Sequence, residues 1–222
     1  MKKAIIIFIL VLLLLLLLLF LLVDKKSKNS TRIVETYPWQ VSILDDGKSR
    51  IFGIVLSEST LKDADAVLKS TPKMALFETD KKLALEAYYK NVSLGGLIGS
   101  FIITLDASDD VLKKIKKAST KEKRAENKGR RYDLDKPTAD STKSLIVKNL
   151  IYIPNVQLDE KTIVQRFGKP TYKIKLKTRE IGWHYLYPEK GLDLIYKEEG
   201  KEVLQYVLPK NINELLVPLQ DH

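Results

Sequence analysis

The most restrictive feature of this 222-residue chain is an uninterrupted apolar run near its start. Residues 4–23 read AIIIFILVLLLLLLLLFLLV, with lysines on either side. As a helix, this run would measure about 30 Å, the thickness of the hydrocarbon core of a bilayer. We therefore expect a transmembrane helix over residues 4–23, followed by a polar juxtamembrane linker over residues 24–36.

The apolar run favours an uncleaved signal-anchor over a cleaved secretory signal. A cleaved signal needs an apolar region of about 7–15 residues followed by small residues at the cleavage site. Here the run is longer and ends Leu22-Val23-Asp24, without small residues. The short basic head before the run is typical of a signal sequence. The expected location is the cell inner membrane, in a single pass, with the soluble part in the periplasm.

The basic charge of the chain is concentrated in one segment. The formal net charge is +10, and Lys113–Arg131 contains ten bases but only two acids. Without that segment, the chain after residue 23 has as many acids as bases. The spacing of Leu112 and Ile115 predicts a helix through the segment, with Ser108 as its cap and Gly129 at its end.

Two interpretations of this basic helix remain open. Its side chains can form a solvated face, or they can attract anionic lipid head groups or an acidic partner. The candidate binding residues on one helical face are Lys113, Lys117, Lys121 and Arg124. Nucleic acid is not an expected partner, because no helix-turn-helix or RNA-binding motif accompanies the charge.

The soluble part is expected to belong to the α+β class and to contain two small modules. Each module would have a short helix packed on an antiparallel β-meander. The first module covers residues 37–126 and the second covers residues 149–222, with a charged linker over residues 127–148. In the second, Asp159 is the expected helix cap and Gly168 the helix end. Both modules follow the same element order, so a true internal repeat and a chance likeness both remain open.

Several residues of the second module form a pattern that resembles a known family. Phe167, Gly168 and Pro170 close the predicted helix, and Trp183 and Tyr185 lie on the aromatic strand that follows. These features, mainly over residues 149–208, resemble the SmpA/BamE-like and β-lactamase-inhibitor-like envelope modules. The resemblance implies an extracytoplasmic binding module.

Recognisable catalytic and metal-binding motifs are missing from the sequence. The chain has two histidines, His184 and His222, and no cysteine or Gly-x-Ser-x-Gly elbow. We therefore expect a protein that is not an enzyme, needs no metal or cofactor, and acts through contacts with a protein partner. The alternative is a cell-envelope enzyme without a local motif.

Aromatic side chains are the remaining binding candidates. Trp183, Tyr185 and Tyr187 alternate along one predicted strand, so they share one of its faces. That face can be the core side, packed against the helix that Asp159 caps. It can also be an amphipathic binding surface, since tyrosine and tryptophan recur in binding hot spots.

Overall fold

Thirteen strands and five α-helices make up the regular structure of the residues that the computed structural model describes, 37–79, 82–119, 121–124, 129–177 and 180–220. The strands are β1 (Val41–Ile43), β2 (Ser49–Ile51), β3 (Ile54–Val55), β4 (Lys73–Thr79), β5 (Lys82–Leu94), β6 (Leu97–Asp106), β7 (Lys121–Arg124), β8 (Arg130–Asp133), β9 (Ile146–Pro154), β10 (Tyr172–Lys175), β11 (Gly182–Tyr187), β12 (Leu192–Lys197) and β13 (Val203–Tyr206). The helices are α1 (Leu61–Leu68), α2 (Asp109–Ala118), α3 (Lys136–Ser141), α4 (Glu160–Phe167) and α5 (Asn213–Gln220). All of these elements belong to one compact unit.

Ten of the strands form a single antiparallel sheet, and this sheet corrects the predicted fold class. Its strand order is β10-β11-β12-β13-β9-β6-β5-β4-β8-β7. Strand β9 lies between the two halves, since Ile151 is opposite Ile102 of β6 on one side and Gln205 of β13 on the other. The predicted arrangement of two α+β modules, each with its own meander, is therefore wrong, because strands of both halves share one predominantly β structure.

The predicted linker, residues 127–148, contributes to this sheet. Its described residues include β8, which pairs with β4 through Tyr132 and Leu76, and helix α3, which is capped by the Asp135 carboxylate. It also includes the start of β9. A four-residue strand and a six-residue helix contain too few apolar residues to produce a visible period, which is why the sequence pattern reads as a linker.

The predicted elements of the second half are confirmed. The Asp159 carboxylate accepts the Thr162 N–H at 2.6 Å and caps α4, and Gly168 follows the helix with a φ of 87°. Strands β10 to β13 then form an antiparallel meander. The capping residue, the glycine and the alternating strand pattern were each sufficient to predict this local structure.

Among the described residues, no helix is both long enough and apolar enough to cross a membrane. This finding is against the predicted anchor and against the single-pass, inner-membrane location with a periplasmic soluble part that was inferred from it. The apolar run itself, residues 4–23, and the linker over residues 24–36 lie outside the described residues.

One face of the large sheet is buried under helices and the small sheet of β1, β2 and β3. Leu61 of α1, Leu112 of α2 and Ile163 of α4 all belong to the same buried core as the side chains of this face. From the small sheet, Phe52 packs edge-on against Phe101 of β6, with ring centroids 5.0 Å apart. We call this side of the sheet the covered face.

The segment just before β1 is held on the covered face by aromatic and polar contacts. The rings of Tyr37 and Trp39 stack at 4.9 Å, and Trp39 meets Phe167 of α4 edge-on at 6.1 Å. Between them, the buried Tyr206 hydroxyl of β13 donates a hydrogen bond to the Pro38 carbonyl at 2.6 Å. The segment is therefore part of the packed structure.

The shared sheet predicts that both halves of the chain unfold together. Leu150 of β9 is fully buried, so Leu150→Ala should lower the free energy of unfolding by about 2–5 kcal/mol. Amide hydrogen exchange measured across a urea titration reports separately on β5 of the first half and on β12 of the second half. Leu150→Ala should lower the urea midpoints of both strands equally.

The matched control is Lys62→Ala, which changes an exposed side chain on α1 and should leave both midpoints in place. A Leu150→Ala shift seen in β12 but not in β5 would mean that the halves are independent folding units.

Candidate functional site

The second face of the large sheet has apolar side chains outside the core. Neither the buried core cluster nor the partly buried side chains packed against it include them. Strand register places them together, and each is partly exposed. These side chains, which we call the open face, are Phe77, Tyr88, Ile102, Ile151, Ile153, Ile195 and Val203. A solvated face of an antiparallel sheet is normally polar, so this apolar cluster is the candidate site.

The centre of the open face is continuous across neighbouring strands. Ile102 lies opposite Tyr88 of β5 on one side and opposite Ile151 of β9 on the other. Val203 of β13 lies opposite Ile195 of β12. Such cross-strand partners have Cβ atoms about 4.5–5.5 Å apart, so the side chains within each set are neighbours. Ile153 lies two residues from Ile151 on the same face of β9 and extends that set toward β13.

A polar row borders this patch. Glu86, Thr104 and Asn149 are cross-strand neighbours on β5, β6 and β9. Burial raises the pKa of the Glu86 carboxyl above its usual range, while the positive charge of Arg131 partly opposes this shift. The Asn149 Oδ1 atom is buried and has no hydrogen-bond partner among the described residues. An apolar centre with a polar border resembles the anatomy of protein–protein interfaces.

A histidine–carboxylate pair lies toward the β11 side of this surface. The ring Nδ1 of His184 is 2.8 Å from Asp193 Oδ2, and the Gln205 amide donates to the same oxygen at 3.4 Å. Burial raises the pKa of Asp193, and the hydrogen bond from His184 opposes the shift. Across the strands, His184 is opposite the aliphatic residues Ile174 and Ile195. The pair therefore has apolar neighbours and adds a polar group to the edge of the open face.

A cleft with many basic residues lies at the β4–β8 side of the sheet. It encloses about 530 Å³ and is lined by residues of β4, β7, β8 and α3 and by the segment that follows α3. We call it the basic cleft, because five cationic and three anionic side chains line it. The cations are Lys73, Lys123, Arg131, Lys136 and Lys143.

Two of the three carboxylates of the basic cleft, Asp133 and Asp135, are already engaged. Asp133 accepts from Lys123 Nζ and from Arg131 Nε, each at 2.7 Å, and these contacts hold the pKa of its carboxyl below the usual range. Asp135 caps α3 by accepting the Thr138 N–H at 3.0 Å, and its pKa is also lowered. Both groups are anionic at neutral pH, yet the cations outnumber the carboxylates, so the cleft is positive.

The predicted aromatic site lies on the covered face. Tyr185 and Tyr187 are almost completely buried, and their hydroxyls donate to Glu160 Oε1 at 2.8 Å and to the Gly168 carbonyl at 3.0 Å. Lys173 Nζ lies over the Trp183 ring, 4.7 Å from its centroid. These side chains pack against α4 and its ends, which is the core-side interpretation of the pattern.

The predicted basic site is divided between two elements. Helix α2 ends at Ala118, so Lys113 and Lys117 lie exposed on a helix, whereas Lys121 and Arg124 lie on strand β7. The four residues do not share a helical face. The reason is tertiary pairing, because β7 forms a ladder with β8 that no local propensity in this lysine-rich sequence indicates.

The open face was not among the sites predicted from the sequence, although a signal was present. Residues 150–153 read Leu-Ile-Tyr-Ile, which is continuous rather than alternating. A strand of this kind is apolar on both faces, as in a sheet with cover on both sides. The structure buries Leu150 and Tyr152 and leaves Ile151 and Ile153 partly exposed.

Comparisons with protein-family profiles, curated proteins and solved structures give no match. The resemblance of residues 149–208 to envelope modules therefore stays a prediction. Within the described ranges, no cluster of three or more histidine, aspartate or glutamate side chains could hold a metal ion.

One buried carboxyl lies in the connection between β12 and β13. The Glu202 side chain is fully buried, and neither of its oxygens has a partner with hydrogen-bond geometry among the described residues. Burial raises its pKa, and the nearby backbone N–H groups of Glu202 and Leu158 only partly oppose the shift. Folding therefore favours the protonated form of this side chain.

This environment predicts that Glu202→Gln stabilises the protein at neutral pH. Below the ordinary glutamate pKa near 4.5, the carboxyl is protonated in both the folded and unfolded chains, so its ionisation changes nothing. Between that value and the raised pKa, the unfolded chain loses its proton first and the native protein loses stability. Urea unfolding should show a variant advantage that grows from about pH 4.5 upward, by about 1.4 kcal/mol per unit of pKa shift.

Glu199→Gln is the control, because it removes an exposed carboxyl from the same connection. Its free energy of unfolding should follow that of the unmodified protein at every pH. A Glu202→Gln advantage that is constant with pH would show that ionisation of this group is not the cause.

Proposed function

We propose that this protein works by binding another protein through the open face. The observation that carries the proposal is the continuous apolar patch formed by Tyr88, Ile102, Ile151 and their neighbours, outside the buried core. Leaving such a surface in water is costly, at about 25 cal/mol for each Å² that a partner could bury. Contiguous apolar patches with a polar border are typical of protein-binding surfaces.

The size of the open face favours a protein over a small molecule. It extends from Phe77 of β4 to Ile195 of β12, across six neighbouring strands. With neighbouring strands about 4.8 Å apart, the patch is about 24 Å wide. Small ligands occupy concave pockets, whereas a surface of this width suits a protein partner that buries several hundred Å².

The chemistry around His184 supports binding over catalysis. Its ring nitrogen is held by Asp193, but the cross-strand neighbours on that face are Ile174 and Ile195. Nucleophilic catalysis needs a hydroxyl or thiol within hydrogen-bond reach of the base. The resemblance of residues 149–208 to binding modules also supports a binding function without catalysis.

Photo-crosslinking in the native cells tests this proposal. The full-length chain is expressed with a photo-reactive amino acid at Ile102, and separately at Lys161 as a control on the exposed side of α4. We expect one discrete heavier product from position 102 and none from position 161. Adding Ile151→Ala, which trims a partly exposed neighbour, should lower the yield about threefold or more by removing apolar contact.

Two crosslinking outcomes would contradict the proposed binding function. No product from position 102, or equal products from positions 102 and 161, would contradict a partner on the open face. A far-ultraviolet circular dichroism spectrum of the Ile151→Ala protein controls for loss of fold.

A further inference from the structure

We propose that the basic cleft binds an acidic peptide segment of the protein that docks on the open face. This inference rests on the proposed function, because the cleft borders the same surface. It names the chemistry of the partner: a short stretch rich in aspartate or glutamate, next to an apolar patch.

The charges of the cleft leave two lysines available. Lys123 and Arg131 share the single carboxylate of Asp133, and Lys143 pairs with Asp65 of α1. By contrast, Lys73 and Lys136 are exposed and have no ion-pair partner within the described ranges. They come from different walls, the start of β4 and the first turn of α3. An anion placed between them would compensate charges that the protein itself leaves unpaired.

The cleft is continuous with the open face. Lys73 of the cleft is the cross-strand partner of Tyr88, and Arg131 is the cross-strand partner of Phe77. The Arg131 guanidinium also lies over the Phe77 ring, 5.6 Å from its centroid. A protein that covers Tyr88 and Phe77 therefore lies next to Lys73 and Arg131, which line the cleft.

The type of cation favours carboxylates over phosphate. Phosphate sites commonly use the bidentate fork of an arginine or a convergent set of backbone N–H groups. Here the only arginine in the lining uses its Nε to bind Asp133, and the unpaired groups are lysine ammoniums on different elements. Separate point charges suit a row of carboxylates along a peptide. A volume of about 530 Å³ has room for a few residues.

The test uses dye-labelled hexaglutamate and the full-length protein in non-ionic detergent, with binding followed by fluorescence anisotropy. We expect saturable binding that weakens between about 0.05 and 0.5 M NaCl, since the Debye length shortens over this range. Hexaglutamine of the same length should not bind. The double variant Lys73→Gln/Lys136→Gln should weaken binding about tenfold, because it removes both unpaired charges.

A charge-matched control is Lys161→Gln/Lys169→Gln, which neutralises two exposed lysines on and just after α4. This control has the same net charge as the cleft variant, but its two lysines do not line the cleft. It should therefore bind hexaglutamate within about twofold of the unmodified protein. If both double variants weaken hexaglutamate binding equally, the overall charge of the protein explains the effect, and the proposal is overturned. If Lys113→Gln/Lys117→Gln weakens hexaglutamate binding and the cleft variant does not, the acidic ligand binds α2 and the cleft proposal is wrong.

Two further outcomes distinguish an acidic-peptide site from a phosphate site, and the cleft proposal from the open-face proposal. Complete displacement of hexaglutamate by about 10 mM inorganic phosphate would identify an oxyanion site and overturn the peptide assignment. Hexaglutamate binding does not require a partner, so it can be measured even if crosslinking from position 102 fails. Normal crosslinking with no hexaglutamate binding would overturn the cleft proposal alone.

Discussion

The pairing of strand β9 with both of its neighbours is the constraint on which the rest of the structure depends. β9 is antiparallel to β6 on one side and to β13 on the other, so residues far apart in the chain enter one sheet. Side chains that alternate along β9 must point to opposite faces. Leu150 and Tyr152 point into the core, and Ile151 is consequently on the other side. The buried core thus fixes which residues form the open face.

The sequence predicted local structure well where a single residue has a steric or hydrogen-bonding role. Asp159 had to be a cap because its carboxylate accepts a helix N–H, and Gly168 had to end the helix because its φ is positive. Long-range strand pairing has no comparable signal in the local sequence. Nothing in Lys121–Arg124 or Arg130–Asp133 distinguishes a strand ladder from a charged helix or linker, since the information lies in partners elsewhere in the chain.

The same reason explains why the predicted site and the candidate site differ. Trp183, Tyr185 and Tyr187 were attractive binding residues by type, but burial is decided by what packs on a strand, here Glu160 and the rest of α4. Conversely, Ile102 and Ile151 look like core residues by type. Their partial exposure follows from the placement of α1, α2 and α4 on one side, and no short sequence window contains that choice.

The hydrogen bond between Tyr206 and Pro38 also has a mechanical consequence. A pulling force applied at residue 37 would not act on β1 alone. It would pass through the Pro38 carbonyl to Tyr206 on β13, next to β9, and through Trp39 to α4. The force would then be shared by the hydrogen bonds of the large sheet. Detaching the segment at residues 37–39 therefore requires breaking its contacts with both β13 and α4.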